Sequence, residues 1–512
     1  MESIRELLSV IDRYSIKNID MLEKPGTPEQ PNRYLQLVEG VRRGKFRNDK
    51  AATQALYDGS NADSNFRVLK TRLKDHLFGL LFFLELKRPN HSEFQLRFYQ
   101  CHRELFCAKF LIAASARRTG LSLARSAYRK ARKFEIHDVA LTAARLLRRQ
   151  YSWVGDAPNF EIYDKIITEL SEIVSAESRA EGIQDRLVMK TNASTAHSPK
   201  LRDLAADSLK ELTELHRRLP TYTIQKNYFH TKLIERQLHQ DYQAALDTCI
   251  EAEAFLKKNP HLSSPKRLSD WYSQRMLCYL ALREYDRGIE LAETAISERR
   301  EGSVNWFISL EVYFLLCMHS GRFGRAAIAF DKVVSDRRYA TLPQYLLEKW
   351  KLYERYLRHV FVTHWGDAHR DEVPEALMRR LWRKVQPMVS PLFSRDKEGY
   401  NKSVLTIQIL ELLSEGRIDE ISDKMEALAR YTRRYLNVQD YRRRGGIFFR
   451  MLALMESRSF DPQKTRKAAA RWYAKLEENL QTAEVDGIEI VPYEMIWQRI
   501  LALLEEHQQR HI

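Results

Sequence analysis

Basic side chains are concentrated in one part of this sequence, between residues 42 and 150. Residues 42–74 contain nine Lys or Arg against three Asp or Glu, and residues 101–150 contain twelve against three. These two segments carry net charges of +6 and +9, whereas the whole chain of 512 residues carries +16. Clustered cations attract polyanions, because each phosphate that they neutralise releases counterions. We therefore expect residues 42–150 to contact nucleic acid or another acidic partner.

The candidate binding residues recur at helical spacing within this basic block. Tyr128 and Phe134 lie among them, and aromatic rings beside Lys and Arg can stack on bases while the cations contact phosphates. The alternative is that these long side chains only lie along a helix surface and keep their charges in water. The candidates are Arg67, Lys70, Lys74, Arg117, Arg118, Arg125, Arg129, Lys130, Arg132, Lys133, Arg145, Arg148 and Arg149.

A short helix, a polar turn and a longer basic helix are predicted over residues 48–77. The turn is the segment 58–63, which is rich in Gly, Asn and Asp. One apolar stripe, at spacings of three and four, is formed by Phe66, Leu69, Leu73 and Leu77. Arg67, Lys70 and Lys74 lie off that stripe, so they face solvent or a partner.

This layout is that of a helix-turn-helix, and it resembles the winged-helix unit of bacterial regulators that carry helical repeats. The resemblance implies DNA binding by the basic helix, although no strand pair for a wing is evident in the sequence. The alternative is a basic, solvated helix that packs on the next one.

The sequence contains no motif for catalysis or cofactor binding. Phosphate-binding loops, nucleophile elbows, zinc-protease helices and calcium loops are all absent. His359, His364 and His369 are five residues apart, which is about 140° around a helix, so they do not share a face as metal-binding pairs do. We expect no metal, no cofactor and no enzymatic activity.

Composition favours an all-α protein without a membrane span. Only 18 Gly and 15 Pro occur, which is typical of long helices. No window reaches the roughly 18 uncharged apolar residues that a membrane-spanning helix needs, and the first residues are unlike a signal peptide. The five cysteines form no C-x-x-C pair, which is typical of reduced thiols. We expect a cytoplasmic protein.

Two similar phrases between residues 268 and 334 predict consecutive helix pairs. In each, a helix ends, a tight polar turn follows, and an aromatic residue begins a second helix; a third copy precedes them. The aromatic residues are Tyr242, Tyr285 and Phe323, 43 and 38 residues apart. Gly288 and Ala326 follow their aromatic residue by three positions, where a small side chain lets two helices approach closely.

These phrases resemble tetratricopeptide repeats. Ala326-x-x-x-Phe330 matches the second-helix pattern of that family, Trp306 opens a first helix, and Tyr279 stands where another first helix has its Tyr. The period exceeds the family's 34 residues, and the family's Leu-Gly pair is missing. The resemblance implies an all-α, right-handed superhelix of antiparallel helix pairs, an α-solenoid, with a protein partner on its concave face.

Three regions follow from these patterns: 1–90 with the possible helix-turn-helix, 91–198 with the basic helices, and 199–512 with the repeats. We predict a non-enzymatic adaptor or scaffold whose basic N-terminal part contacts nucleic acid or an acidic partner. The alternatives are a transcription regulator with a repeat sensor domain, and a pure protein–protein scaffold.

Overall fold

The structure, a computed structural model, is helical throughout the residues that it describes. These are residues 1–13, 32–46, 48–57, 61–82, 92–193, 199–262, 265–363, 365, 371–381, 397–435, 444–478 and 489–510. They contain twenty-two α-helices and no strand, which confirms the predicted all-α class. The chain forms two compact units, Met1–Val174 and Ser175–Ile512.

Four helices pack around one apolar core at the start of the first unit. The predicted stripe on the fourth helix is buried in this core, together with Leu80. Asn48 caps the third helix, because its side-chain oxygen accepts a hydrogen bond of 2.9 Å from the Ala51 N–H. The two helices predicted over residues 48–77 are therefore present as the third and fourth helices, whereas residues 58–60 of the predicted turn lie outside the described residues. The helices are α1 (Glu2–Arg13), α2 (Arg33–Arg42), α3 (Asp49–Leu56) and α4 (Ala62–Leu81).

The remainder of the first unit is built from consecutive helices that are joined by tight turns. Each turn contains one residue with a left-handed backbone, and these residues are Ser115, Glu135 and Gly155, spaced 20 apart. After each one, the next N–H bonds to a carbonyl five residues earlier; Ile136 bonds in this way to Ala131 at 2.9 Å. This pattern satisfies carbonyls at the helix end. The helices are α5 (Glu93–Ala113), α6 (Arg117–Lys133), α7 (His137–Val154) and the first part of α8 (Ala157–Ala193).

The second unit continues from α8 through fourteen further helices in its described residues. Neighbouring helices in the sequence pack on each other through most of this unit. They are α9 (Pro199–Arg218), α10 (Tyr222–Leu238), α11 (Tyr242–Lys258), α12 (Pro265–Leu282), α13 (Tyr285–Glu298), α14 (Val304–His319), α15 (Phe323–Val334), α16 (Gln344–Val362), α17 (Glu375–Leu381), α18 (Lys397–Ser414), α19 (Ile418–Tyr435), α20 (Arg444–Ser457), α21 (Pro462–Glu478) and α22 (Tyr493–Arg510).

The three helix pairs that the repeated phrases predict are confirmed. The pairs are α10–α11, α12–α13 and α14–α15, and their second helices begin at Tyr242, Tyr285 and Phe323. Each pair is closed by the same left-handed turn, and the same turn at Gly416 precedes α19. The turn geometry recurs although the left-handed residue differs between pairs, being Gln240, Arg283 and Gly321.

The small residue that follows each turn is buried where helices cross. A Cβ atom added at Gly288 would lie 3.2 Å from the Tyr279 Cβ of α12 and 2.7 Å from a methyl group of Leu316 on α14, and Ala326 is fully buried. The first unit follows the same rule, since Gly120 and Ala140 occupy the equivalent positions of α6 and α7 and are buried. The helix-pair pattern therefore extends beyond the segment in which the sequence revealed it.

The two compact units divide within α8, between Val174 and Ser175. The three predicted regions have their limits elsewhere, at residues 90 and 198, and these limits remain predictions.

Candidate nucleic-acid interface

Helix α6 carries seven Lys or Arg residues and no acidic residue. Its buried side consists of small and apolar side chains, and at Gly120 an added Cβ would lie 2.8 Å from the Ile112 side chain of α5. Close packing on this side presses one face of α6 into the unit. Because the apolar residues occupy that face, the charged residues are left on the others.

Among the described residues, three cations of α6 and α7 are held by carboxylates. The Lys130 ammonium lies 2.5 Å from Glu104 of α5, and the Arg132 guanidinium lies 3.0 Å from Glu169 of α8. Arg148 of α7 forms an ion pair with Asp164 of α8. These partly exposed pairs contribute little stability, but they neutralise charges that the sequence counts as available.

Apart from Arg117, the other basic side chains of α6 form an exposed stripe, which we call the basic stripe: Arg118, Arg125, Arg129 and Lys133. At 100° per residue they fall within about 80° of the helix circumference. None of them lies within salt-bridge distance of a carboxylate among the described residues. No acidic residue of α6 separates these four cations, and polyanion binding by them stays a prediction.

Helix α7 repeats part of this arrangement 20 residues later. Arg145 and Arg149 are exposed and, within the described part of the chain, have no carboxylate partner. Asp138 is exposed on the same side of α7, so this helix is less uniformly basic than α6. With Arg117, seven exposed cations without a carboxylate partner among the described residues remain on the two helices together.

The aromatic residues that the sequence placed among these cations are turned inward. Phe134 is buried, and Tyr128 packs on Tyr163 of α8 with 5.7 Å between ring centres. Burial raises the pKa of both tyrosines. Phe134 is not available for base stacking, because it fills the interior between helices, and Tyr128 is half-buried against Tyr163.

A different aromatic residue, Trp153, lies at the basic surface. It stands in the last turn of α7, 58% exposed, and the Arg117 guanidinium lies 4.7 Å from its ring centre. Sequence reasoning placed Trp153 only at the end of a helix. The position of Trp153 one turn after Arg149 is the pattern that could have identified it.

The basic residues of α4 are only partly available. Arg67 is exposed, whereas Lys70 and Lys74 are half-buried. The Lys70 ammonium lies 2.5 Å from Asp49 of α3, and this hydrogen bond is the largest of the contacts that lower the pKa of Asp49. One of the three candidates therefore faces solvent freely.

An exposed aromatic surface lies where the end of α4 meets α5. Its phenylalanines are at least half exposed, and the rings of Phe82 and Phe106 touch with 5.4 Å between their centres. Exposed cations flank it on α5. The surface consists of Phe78, Phe82, Phe106 and Phe110 with Arg103 and Lys109.

Neither the histidines nor the cysteines form a reactive cluster in the part of the chain that the structure describes. His359 is buried, and His364 and His369 lie outside the described residues. No group of three potential metal ligands occurs among the described residues. Burial raises the thiol pKa of Cys101 to about 11 and that of Cys317 to about 12, so neither thiol is a ready nucleophile.

Among the described helices, none is both long enough and apolar enough to cross a lipid bilayer. Comparison with protein-family models, with curated proteins and with solved structures finds no match to this chain.

Proposed function

We propose that this protein is a non-enzymatic, cytoplasmic helical-repeat protein that binds nucleic acid through α6 and α7. The basic stripe carries the proposal: four exposed cations on one side of a helix that has no acidic residue. These four side chains do not pack in the core, and the repulsion between their charges is not offset by any carboxylate among the described residues. A phosphate backbone supplies that compensation.

The repeats of the second unit supply the adaptor part of this proposal. Consecutive helix pairs with the same turn stack into a right-handed α-solenoid in repeat proteins, and the concave face of such a solenoid binds a protein partner. The protein would thereby bring its protein partner to a nucleic acid.

Binding of a labelled oligonucleotide to the full chain, measured by fluorescence anisotropy over a salt series, tests the nucleic-acid part. Replacing the four residues of the basic stripe with Gln should weaken binding and flatten the dependence of log affinity on log salt by up to about three units, because each phosphate contact contributes roughly 0.7–0.9. The melting temperature should stay near that of the parent.

A matched control removes four exposed cations from the second unit, none of which has a carboxylate partner among the described residues. These residues are Lys210, Lys258, Arg300 and Arg458. The control variant has the same net charge as the stripe variant and should bind like the parent. Equal loss in both variants, or a parent that binds no nucleic acid at low salt, would end the proposal.

The exposed phenylalanines favour a scaffold function as the second candidate. Exposed apolar surface with flanking cations suits an acidic protein segment that carries apolar anchors. Replacing Phe106 and Phe110 with Ser should then abolish capture of an acidic, apolar peptide and leave oligonucleotide binding unchanged. If peptide binding persists in this variant, the aromatic surface is not the docking site.

The regulator alternative rests on the helix–turn–helix layout and on exposed Arg67. It requires α4 to read duplex DNA, so Arg67→Gln should lower affinity for a duplex more than for a single strand. An unchanged duplex affinity in this variant would count against the regulator.

A further inference from the structure

Trp153 is unusually exposed for a tryptophan. Over the described residues, the remaining tryptophans are buried or half-buried. Tryptophan is enriched at interfaces, because burial of its large apolar ring against a partner is stabilising while its N–H can still donate a hydrogen bond. The surroundings of Trp153 indicate what kind of partner covers it.

The cations near the indole come from two helices, α6 and α7. The Arg117 guanidinium of α6 lies over the ring at 4.7 Å. Arg149 precedes Trp153 by one helical turn, and Arg118 follows Arg117 at the start of the basic stripe. Within its own unit the ring therefore joins the cations of α6 to those of α7.

We infer that Trp153 stacks on an unpaired base and that the nucleic-acid ligand is single-stranded. This inference rests on the proposed function and names the class of ligand. A ring flanked by Arg offers one base a stacking surface while the guanidinium groups contact the adjoining phosphates. Bases of an intact duplex are stacked on each other and do not present a free face, so a duplex would use the cations alone.

The test compares three probes on the full chain: a single-stranded oligonucleotide in DNA and RNA forms, the corresponding duplex, and inorganic polyphosphate. Trp153→Ala should weaken binding of the single strand by about 5- to 150-fold, the range that corresponds to one lost stacking contact. Binding of duplex and polyphosphate should stay unchanged. Loss in the RNA arm alone or the DNA arm alone would identify which single strand is the ligand.

Trp153→Phe is the second variant and keeps an aromatic ring in place. It should retain most of the single-strand affinity, whereas quenching of tryptophan fluorescence by the single strand should be lost. This variant also tests the inference if the alanine variant does not fold.

The outcomes separate this inference from the proposed function. If Trp153→Ala binds single strands like the parent while the stripe variant loses binding, the stacking role is wrong and the basic interface stands. If the stripe variant also binds like the parent, the interface itself is wrong. Equal losses for the single strand and polyphosphate in Trp153→Ala would show that Trp153 only supports the fold.

Discussion

Replacing Arg444 with Met should strongly destabilise the second unit. The Arg444 side chain is 0% exposed; its Nε and Nη2 atoms donate to Glu489 at 3.1 and 2.7 Å, and Nη1 donates to the Leu476 carbonyl at 2.9 Å. Met fills part of the volume but provides no donor, so Glu489, whose side chain is 1% exposed, becomes a buried carboxylate without its cation. Removing one partner of a buried pair costs about 3–5 kcal/mol.

Of the two carboxylates that Arg444 contacts, only Glu489 should be left without a cation in the Arg444→Met variant. Glu494 also accepts from Arg444 at 2.6 Å, but it keeps the Arg283 guanidinium at 2.9 Å and is less buried. Urea unfolding of the full chain, followed by circular dichroism, measures the effect. With a slope near 3 kcal/mol/M, the midpoint for the second unit should fall by about 1–1.7 M.

Arg471→Met is the matched control, because Arg471 is exposed on α21. Its effect should stay within about 0.5 kcal/mol. Adding Glu489→Gln to Arg444→Met should recover part of the lost stability, since it removes the uncompensated charge. A loss below 1 kcal/mol in Arg444→Met, or no recovery in the double variant, would refute the reasoning.

The same network predicts an acid dependence of stability. Burial by itself would raise the pKa of Glu494, but the hydrogen bond from Arg444 and the charges of Arg444 and Arg283 leave it below the ordinary 4.5. A carboxyl with a lowered folded-state pKa stabilises the protein above its unfolded pKa, and this contribution is lost as the pH falls through the folded pKa. The parent should lose more stability below pH 4.5 than Arg444→Met, when each is compared with itself at pH 7.

Other substitutions test the packing, the turns and a buried histidine. Ala326→Leu should overpack a helix crossing and cost about 1–3 kcal/mol; a parent-like melting temperature would contradict this. Gly321→Ala should destabilise the protein by about 1 kcal/mol, because φ is +72° at this position and a side chain is strained there. Gln240→Gly should be neutral or stabilising, because φ is +59° and glycine adopts this angle without strain. Thermal unfolding measures both effects. Burial lowers the pKa of His230 to about 4, so the unfolded chain binds a proton more readily than the folded protein and the melting temperature should fall as the pH drops from 6.5 to 4. His230→Phe keeps the stack on Trp271 but cannot bind a proton, so it should make this fall smaller.

Local patterns predicted the helices, because helix periodicity and turn chemistry are local properties. The second helices at Tyr242, Tyr285 and Phe323 begin where the phrases placed them. The equivalent turns of α5–α7 escaped notice because Arg117 and His137 stand where the other copies have an aromatic residue. What the copies share is the left-handed turn residue and the small residue five positions after it, not the ring.

The sequence could not show which cations are available. Lys130 meets a carboxylate 26 residues away, and Arg132 meets one 37 residues away. Such pairs depend on how helices pack, which spacing along one helix does not reveal. Trp153 was missed for the same reason, since an aromatic residue at a helix end fits a core position equally well.

The number of cations that are free to contact phosphate, and not the net charge, therefore determines how strongly binding by the basic block depends on salt. Residues 101–150 carry a net +9, but seven cations without a carboxylate partner among the described residues remain on α6 and α7. At roughly 0.7–0.9 per phosphate contact, these seven limit the salt dependence to a slope of about 5–6. A steeper slope would require cations from elsewhere, of which Arg67 on α4 and Arg103 and Lys109 on α5 are exposed, whereas Lys70 is held by Asp49. The measured slope thus distinguishes an interface confined to α6 and α7 from one that extends to α4 or α5.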